Sequence, residues 1–400
     1  MPKFRTLDDL DVLGKRVLLR ADLNVPVKDG AVTDATRIER LAPTIEALID
    51  RGAKVIVMSH FGRPKGKKDP ALSLRPLVAP LSRALGGRQV VFAEDCIGAE
   101  AKRAVAALQP GQVVLLENLR FHKEEEADSP EFARALAELG DVYVDDAFSA
   151  AHRAHASIDA LARLMPNAAG RLMQAELSAL AAALETPKRP VMALIGGAKV
   201  STKLDLLRFL VGKVDILAIA GAMANTFLLA ENREIGRSLS EPAMADGARQ
   251  TLVLAAQQNC RVILPEDLVV AAAAEPGVAV RTVAADMVPA DMMILDIGPK
   301  TVARIGDLLD DAHTLVWNGP LGAFETPPFD RATVTVAKRV AELTHSGRLL
   351  SVAGGGDTVA ALDGAGVADA LSYVSTAGGA FLEWLEGRRL PGVEALAAAT

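Results

Sequence analysis

Short apolar runs alternate with stretches of helical periodicity along almost the whole chain. The apolar runs of the first part lie at residues 16–23, 54–60, 89–92, 113–119 and 141–147. Helical stretches between them lie at residues 37–50, 77–85 and 130–139, the last opened by a predicted cap at Asp128-Ser129-Pro130. Continuous apolar strands that alternate with amphipathic helices indicate a parallel sheet covered by helices on both faces.

The alternation stops once near the middle of the chain and then resumes. Residues 171–185 form a long amphipathic stretch, and the segment Thr186-Pro187-Lys188-Arg189-Pro190 ends it. A charged segment broken by prolines is typical of an interdomain connection. Further strand-like runs follow at residues 191–197, 216–221, 261–270, 292–298, 314–319, 349–355 and 371–379. They predict a second parallel sheet.

These patterns predict an α/β protein of two domains, because 400 residues exceed what one hydrophobic core usually organises. Each domain is expected to hold a parallel sheet flanked by helices, which is a Rossmann-like arrangement. The predicted bounds are residues 1–170 for the first domain, 171–190 for a hinge helix, and 191–383 for the second domain.

The composition argues against several classes of protein. The net charge of −6 disfavours general nucleic-acid binding, which uses a basic surface. No apolar run reaches the length of about 18 residues that a membrane helix needs, and the N-terminus lacks the apolar core of a signal peptide. Cys96 and Cys260 lie far apart in the sequence, so we expect buried thiols in a reducing cytoplasm.

Cationic side chains stand just beyond several predicted strands of the first half. His60 and Arg63 follow one strand, Arg120 follows another, and Arg153 follows a third. Ligands of open α/β sheets bind outside the carboxyl ends of the strands. A single arginine of this kind more often forms a surface salt bridge. Several that converge predict a site for a small anion with more than one charge.

Glycines replace these cations at the strand ends of the second half. The segments 196–199, 319–322 and 354–358 are rich in glycine, and each follows a predicted strand. Glycine lets the backbone approach a ligand closely, and N–H groups at a helix start can bind phosphate. The sequence contains neither the Walker A motif nor GxGxxG, so these turns predict a nucleotide site of another kind.

Each candidate in the second half also has a plain structural interpretation. Lys199 and Lys203, expected on one helical face, could reach a transferring phosphoryl group or could be solvated. Asp357 could hold Mg²⁺, or Asp357 or Thr358 could cap the following helix. Glu325 could accept hydrogen bonds from a ribose, or it could lie in an ordinary loop.

Seven motifs, taken in order along the chain, resemble those of the phosphoglycerate kinase family. They are Arg20-Ala21-Asp22-Leu23-Asn24-Val25-Pro26, Ser59-His60-Phe61-Gly62-Arg63-Pro64, Leu116-Glu117-Asn118-Leu119-Arg120-Phe121, Asp146-Ala147-Phe148 with His152-Arg153-Ala154-His155, and the segments 196–203, 318–325 and 354–358. The resemblance covers essentially the whole chain. It implies reversible transfer of the acyl phosphate of 1,3-bisphosphoglycerate to ADP with Mg²⁺, which gives 3-phosphoglycerate and ATP.

The resemblance also implies roles for individual residues. Those expected to hold the phosphoglycerate in the first domain are Asp22, Asn24, Arg37, His60, Arg63, Arg120 and Arg153. Those expected to hold the nucleotide in the second domain are Lys203, Asn318, Glu325, Gly354, Gly355, Gly356, Asp357 and Thr358, with Asp357 at Mg²⁺. The residues expected to be catalytic are Arg37, Lys199 and Lys203. Residues 384–400 are expected to pack back on the first domain.

Three positions depart from the family motifs. Asp145, Ser149 and Ala377 stand where asparagine, glycine and glycine are usual, and alanine at 377 would be strained if its backbone were left-handed. None of these changes removes a charged ligand, so we expect an active enzyme, and the resemblance implies a monomer. Arg20 is expected to be a structural partner for nearby carboxylates rather than a ligand.

Two other functions share part of this pattern. A dinucleotide-dependent oxidoreductase would also have two α/β domains, but it should carry GxGxxG. A two-lobed, non-catalytic anion-binding protein would explain the arginines but not the glycine turns. A kinase explains both, and its carboxylate nucleophile, already ionised at neutral pH, needs no general base. Because the two substrates are expected on separate domains, closure near residues 171–190 and 375–385 is predicted.

Overall fold

The computed structural model describes residues 4–28 and 30–398, with side chains up to residue 397. The chain forms two compact units. One unit holds the residues up to Leu177 together with those from Arg389 onward, and the other unit is Ser178–Arg388.

A parallel sheet of six strands forms the centre of the first unit. Its strands are β1 (Arg16–Arg20), β4 (Lys54–Met58), β5 (Val90–Ala93), β6 (Val113–Leu116), β7 (Val142–Asp145) and β8 (Asn167–Ala169). A separate short hairpin is formed by β2 (Val27–Lys28) and β3 (Ala31–Val32). The spatial order is β5-β6-β4-β1-β7-β8. In the central strand, Leu18 lies opposite Ile56 on one side and Tyr143 on the other. The parallel sheet predicted from the apolar runs is therefore confirmed.

Helices of the first unit accompany this sheet. They are α1 (Thr36–Asp50), α2 (Val78–Ala84), α3 (Gly98–Ala106), α4 (Lys123–Glu126), α5 (Pro130–Ala137) and α6 (Ala160–Leu164). In α1, Ile38, Leu41 and Ile45 recur every three to four residues and are fully buried. Helix α5 begins as the sequence predicts, because the Ser129 hydroxyl accepts a hydrogen bond from the backbone N–H of Phe132 at 3.4 Å.

Helix α7 (Arg171–Leu184) is the long amphipathic stretch near the middle of the chain. Two side chains of the first unit hold its beginning. The Thr44 hydroxyl accepts a hydrogen bond from the backbone N–H of Arg171 at 3.0 Å, and Asp146 Oδ1 accepts one from Met173 at 3.0 Å. These bonds satisfy N–H groups that have no partner inside the helix.

Two sheets form the second unit. Its strands are β9 (Val191–Ile195), β10 (Ile216–Ile219), β11 (Arg261–Ile263), β12 (Asp267–Ala271), β13 (Val280–Ala284), β14 (Met293–Ile297), β15 (Thr314–Asn318), β16 (Leu350–Gly354) and β17 (Tyr373–Ser375). Six strands form the predicted parallel sheet, and their order is β11-β10-β9-β15-β16-β17. The other three form an antiparallel sheet in the order β13-β12-β14.

Two apolar runs of the second half differ from the prediction. The run 261–270 holds two strands, β11 in the parallel sheet and β12 in the antiparallel sheet. Pro265 lies between them, and a proline interrupts a strand because it has no N–H to donate. The run 292–298 holds β14, which pairs with β12 rather than with the parallel sheet.

The helices of the second unit are α8 (Leu204–Val211), α9 (Gly221–Ala230), α10 (Ala245–Gln257), α11 (Pro299–Asp311), α12 (Arg331–His345), α13 (Gly356–Gly364) and α14 (Gly379–Leu385). Trp317 on β15 lies in the core of this unit and donates a hydrogen bond from Nε1 to the Gly319 carbonyl at 2.8 Å. Within residues 4–28 and 30–398, no helix combines the length and the apolar character that crossing a membrane requires.

The last helix, α15 (Pro391–Ala398), belongs to the first unit. It packs against α6 and β8, and Leu396 is fully buried there. The Asn167 side chain of β8 donates to the Ala395 carbonyl at 3.2 Å, and the Gly392 N–H donates to the Ala151 carbonyl at 2.9 Å. The chain therefore returns to complete the unit in which it began.

Candidate active site

Arg37, near the start of α1, binds the loop that follows β1 at the carboxyl end of the first sheet. Its Nη1 donates to Asp22 Oδ2 at 2.6 Å and to the Asn24 carbonyl at 3.1 Å. The side chain of Asn24 accepts a hydrogen bond from the backbone N–H of Gly62 at 2.9 Å, which ties the loop after β1 to the loop after β4. Arg63 follows in that second loop and is exposed. Three predicted anion ligands, Asp22, Asn24 and Arg37, are thus held together.

His60 lies beside Arg20 in the same region and is 7% exposed. The His60 Nδ1 lies 3.2 Å from Arg20 Nη2. A guanidinium only donates hydrogen bonds, so Nδ1 accepts and the proton of the neutral ring is on Nε2. Burial, followed by the charges of Arg20, Arg120 and Arg153, holds the pKa of His60 well below its usual range. His60 therefore presents a neutral N–H donor.

Arg120 and Arg153 add positive charge to this region. Arg120 is 3% exposed, and its Nη1 donates to the Gly62 carbonyl at 2.8 Å. Burial and then the neighbouring charge of Arg153 lower the pKa of Arg120 to about 10. Arg153 donates from Nε to His152 Nε2 at 3.2 Å. Cations held close together in a partly buried place are stabilised by a bound anion.

Among the described residues, the hydrogen-bond partners of Arg20 are the Ser157 hydroxyl, the Ala21 carbonyl and the His60 ring rather than the expected carboxylate. Arg20 is 1% exposed and donates from Nε to Ser157 Oγ at 2.8 Å. Ser157 in turn donates to Glu125 Oε1 at 2.6 Å. These two hydrogen bonds connect Arg20 on β1 to the buried Glu125 carboxylate on α4. Arg20 therefore stabilises the structure around the cluster of cations.

Glycines bring the strand ends of the second sheet into direct contact. A Cβ atom on Gly196 would lie 1.9 Å from the Pro320 carbonyl oxygen. Gly319 has a φ of +97°, and a Cβ atom there would lie 2.3 Å from the Gly196 carbonyl oxygen. Both distances are far below van der Waals contact, so only glycine permits this packing.

Lys203 is anchored to these strand ends. Its Nζ donates to the Gly196 carbonyl at 2.6 Å and lies 3.4 Å from the Asn318 carbonyl. Burial lowers the pKa of Lys203 to about 8, although the charge of Asp357 acts in the opposite direction. The ammonium group is therefore fixed in position, close to the glycine turns.

The expectation that Lys199 and Lys203 share a helical face is wrong. Helix α8 begins only at Leu204, and residues 201–203 form a turn before it. Bends and turns occupy residues 197–203 between β9 and α8. Lys199 is exposed, whereas Lys203 points back to the sheet.

The turn after β16 is held by Asn318 and Thr358. Asn318 Nδ2 donates to the Gly354 carbonyl at 2.7 Å, and Gly355 has a φ of +100°. The residue at the N-cap of α13 is Gly355, with no side-chain cap. Neither Asp357 nor Thr358 therefore caps the helix with its side chain. Thr358 Oγ1 instead accepts a hydrogen bond from the Gly319 N–H at 2.7 Å. The first N–H groups of α13 remain available to an anion.

A cavity of about 430 Å³ lies beside these turns. Its walls include the apolar side chains of Leu239, Leu268 and Leu321. Glu325 and Asp357 also line it and are both exposed. A largely apolar pocket with a few polar groups at its edge is typical of a site for a nucleotide base and sugar.

Two further polar residues of this cavity were not found from the sequence. Asn225 on α9 is fully buried and donates from Nδ2 to the Leu239 carbonyl at 3.0 Å. Asp296 on β14 accepts a hydrogen bond from the backbone N–H of Ala332 at 3.0 Å, and burial raises its pKa to about 7. Both lie inside apolar segments with no local motif, so only the tertiary fold identifies them.

The three departures from the family motifs fit their surroundings. Asp145 is buried, accepts the Ala147 N–H at 2.9 Å, and has its pKa raised to about 6 by burial. The left-handed residue of the loop before α14 is Gly378, with a φ of +55°, and not Ala377. Ser149 also has an ordinary backbone conformation. None of the three is strained.

One other cluster of ligand-type side chains lies outside this site. His122 Nε2 is 2.7 Å from Asp95 Oδ1, and the Cys96 thiol is close to both groups. The second oxygen of Asp95 accepts a hydrogen bond from Lys68 Nζ at 3.0 Å. The Lys68 ammonium group therefore already neutralises the Asp95 carboxylate.

The expected burial of the two thiols is seen, since Cys96 is 0% and Cys260 is 5% exposed.

Comparison with known proteins gives a consistent result. The family model described as phosphoglycerate kinase matches residues 7–388. A phosphoglycerate kinase from Methylorubrum extorquens (strain PA1) is 60% identical over 399 residues, covering 100% of both chains. One from Rhodospirillum centenum is 60% identical over 395 residues, covering 99% of this chain and 100% of that one.

Solved structures agree. The phosphoglycerate kinase from Coxiella burnetii superimposes with a TM-score of 0.92 at 42% identity, covering 99% of each chain. The enzyme from Pyrococcus horikoshii OT3 gives a TM-score of 0.81 at 30% identity, also covering 99% of each chain. The predicted resemblance, the α/β fold with two parallel sheets and the assignment as a kinase are confirmed. The chain belongs to the phosphoglycerate kinase family.

Proposed function

We propose that the chain transfers the acyl phosphate of 1,3-bisphosphoglycerate to ADP, reversibly, and so forms 3-phosphoglycerate and ATP. The observation that carries this proposal is the contrast between the two sheet ends. One sheet end presents clustered cations, and the other presents glycine turns beside an apolar cavity. A phosphoglycerate suits the first chemistry and a nucleotide suits the second.

Phosphoglycerate binding is assigned to the first unit. 3-Phosphoglycerate carries about three negative charges near neutral pH, from one carboxylate and one phosphate. The groups proposed to bind it are Asp22, Asn24, Arg37, His60, Arg63, Arg120 and Arg153. The arginines would bind the anionic ends, and the neutral His60 would donate one hydrogen bond from Nε2.

Nucleotide binding is assigned to the second unit. The apolar cavity would take the base, and Glu325 at its edge would accept hydrogen bonds from the ribose hydroxyls. The phosphates would lie at the N-terminus of α13, against the amides of residues 354–358. Lys203 would add one positive charge there, with Asn318 holding the turn in place.

The residues present fit a magnesium ion. Asp357 is an exposed carboxylate that lines the cavity and stands at the start of α13, where the phosphates are proposed to bind. Mg²⁺ prefers carboxylate and phosphate oxygens, and when bound it neutralises charge on the phosphates. Asp357 would hold the ion. The charges of Asp357 and Lys203 attract each other, since Asp357 acts to raise the pKa of Lys203.

No residue has to remove a proton in this reaction. The nucleophile in the direction of ATP consumption is a carboxylate, which is ionised at neutral pH. Catalysis therefore consists of positioning the substrates and stabilising charge on the transferring phosphoryl group. Arg37, Lys199 and Lys203 are the proposed cations for this task. Arg37 is preorganised by Asp22, Lys203 by strand-end carbonyls, and Lys199 is exposed.

Closure of the two domains is part of the proposal, because transfer requires both substrates to meet away from water. The domains proposed are residues 1–170 with 384–400 for phosphoglycerate and 191–383 for nucleotide, with a hinge at 171–190 and again near 375–385. We further infer a monomer that works in the cytoplasm. A radius of gyration that does not fall when both substrates bind would contradict closure.

A coupled assay tests the function. We expect purified protein to form ATP from 1,3-bisphosphoglycerate and ADP in the presence of Mg²⁺. The light output of luciferase measures the ATP that is formed. Omission of ADP is the matched control and should give no phosphate release above the spontaneous rate. Release of phosphate that is independent of ADP would instead identify an acyl phosphatase and would contradict the kinase assignment.

A further inference from the structure

Ser149 contacts the residue that holds Arg37. It lies in the short turn Phe148–Ala150 after β7, and its hydroxyl donates to Asp22 Oδ2 at 2.5 Å. The same carboxylate oxygen accepts Arg37 Nη1 at 2.6 Å. The other oxygen, Oδ1, accepts the backbone N–H of Asn24 at 3.0 Å. The carboxylate of Asp22 is therefore held by three donors from three segments.

This arrangement changes how Asp22 can bind an arginine. Elsewhere in the same unit, Arg171 binds Asp8 through both Nη atoms, at 2.7 and 2.6 Å, which is a bidentate pair. Arg37 makes only the Nη1 contact with Asp22, whose Oδ1 accepts the backbone N–H of Asn24 and whose Oδ2 also accepts the hydroxyl of Ser149. Donors from three segments therefore hold the carboxylate in an orientation in which only its Oδ2 atom meets Arg37.

The consequence concerns the donors that Arg37 keeps free. Among the described residues, the Nη2 and Nε groups of Arg37 have no hydrogen-bond partner. These are the donors that a carboxylate or phosphate of a substrate could take. An Arg37 drawn into a bidentate pair with Asp22 would lose them to the protein itself.

We propose that Ser149 is a positioning residue that acts through Asp22 to keep Arg37 available to the anionic substrate. The inference rests on the proposed assignment of Arg37 to the phosphoglycerate site. It also gives a role to the serine that stands where the family motif has glycine. The backbone at residue 149 is not left-handed, so a side chain is tolerated there and the hydroxyl is free to serve Asp22.

Steady-state kinetics of three variants test this role. S149A and S149G are expected to raise the KM for 3-phosphoglycerate about three- to tenfold, the effect of one lost hydrogen bond. Both should leave the KM for ATP within about twofold of the wild-type value, and S149T, which keeps the hydroxyl, should restore the KM for 3-phosphoglycerate. Thermal unfolding of each variant identifies a loss of folding, which would alter both KM values.

A double-mutant cycle with D22A separates this role from direct substrate contact. If Ser149 acts through Asp22, S149A should have no further effect on the KM for 3-phosphoglycerate in the D22A background. An unchanged KM in S149A, an equal rise in both KM values, or an effect that persists in D22A would overturn the proposal. Wild-type ATP formation is measured in the same series, so failure of the kinase function itself is recognised separately.

Discussion

Arg37 is the cation of the first unit that is proposed both to bind and to stabilise charge. The change Arg37→Ala is expected to lower kcat about 100-fold or more, because a fixed charge in the transition state is lost. The affinity for ADP should change by less than about twofold, since Asp22 and Asn24 tie Arg37 to the first unit alone. Steady-state kinetics and ADP titration check both statements.

The matched control is Arg83→Ala, which removes an exposed arginine in the last turn of α2. It is expected to leave kcat and both KM values unchanged. A loss of ADP binding in Arg37→Ala comparable to its loss of kcat would contradict the assigned role.

The lowered pKa of Lys203 predicts that kcat/KM for ATP depends on pH. The pKa of this lysine is lowered to about 8 by burial, so the ammonium is present below that pH and is lost above it. If the charge binds the nucleotide phosphates, kcat/KM for ATP should fall about tenfold per pH unit above pH 8. Lys203→Arg keeps its charge at all these pH values, so its profile should stay flat. A wild-type profile that is flat up to about pH 10 would contradict this account.

Close glycine packing joins the strand ends of the second parallel sheet. Gly196→Ala is expected to destabilise the second unit by roughly 1–3 kcal/mol or more, because its Cβ would overlap the Pro320 carbonyl. Gly306→Ala on α11 is the control, since no atom lies within 4 Å of its Cβ. That change should stabilise the helix by roughly 0.5–1 kcal/mol. Urea unfolding measures both, and equal effects would exclude a special role for Gly196.

The returning helix α15 is tested in the same way. Leu396→Ala should destabilise the first unit by roughly 2–5 kcal/mol, because the side chain is fully buried against it. Glu394→Ala on the same helix removes only a surface ion pair with Arg389 and should cost less than about 1 kcal/mol. If the two variants unfold at the same denaturant concentration, α15 contributes little to this unit.

The sequence predicts elements well where one local pattern decides the outcome. The strands that precede His60 and Arg120 are continuous apolar runs, and the cap at Ser129 is a local signal, so these features are found. Pairing partners are not local. Nothing near residues 293–297 distinguishes a strand of the parallel sheet from one that pairs with β12.

The candidate site shows the same limit. Residues such as Asn24 and Lys203 can be proposed from the sequence because they lie in recognisable motifs. Asn225 and Asp296 line the cavity because distant segments fold together, and each lies in an otherwise apolar stretch. The hydrogen bond from Ser149 to Asp22 spans 127 positions in the sequence, so its geometry is visible only in the folded chain.

We propose that each of the two units binds one of the two ligands. The folds support this division, because each parallel sheet presents a different chemistry at the carboxyl ends of its strands. A protein with one mixed site would instead lose both ligands when any one cation is removed. Calorimetric titration of the intact protein with each ligand distinguishes these two cases.

The most direct measurement is a crossed titration of two variants with 3-phosphoglycerate and with ADP. Arg153→Ala is expected to weaken 3-phosphoglycerate binding about tenfold or more and to leave ADP binding unchanged. Lys203→Ala is expected to weaken ADP binding by a similar factor and to leave 3-phosphoglycerate binding unchanged. If either variant weakens both ligands equally, or weakens only the other ligand, the division of the site between the two units is wrong.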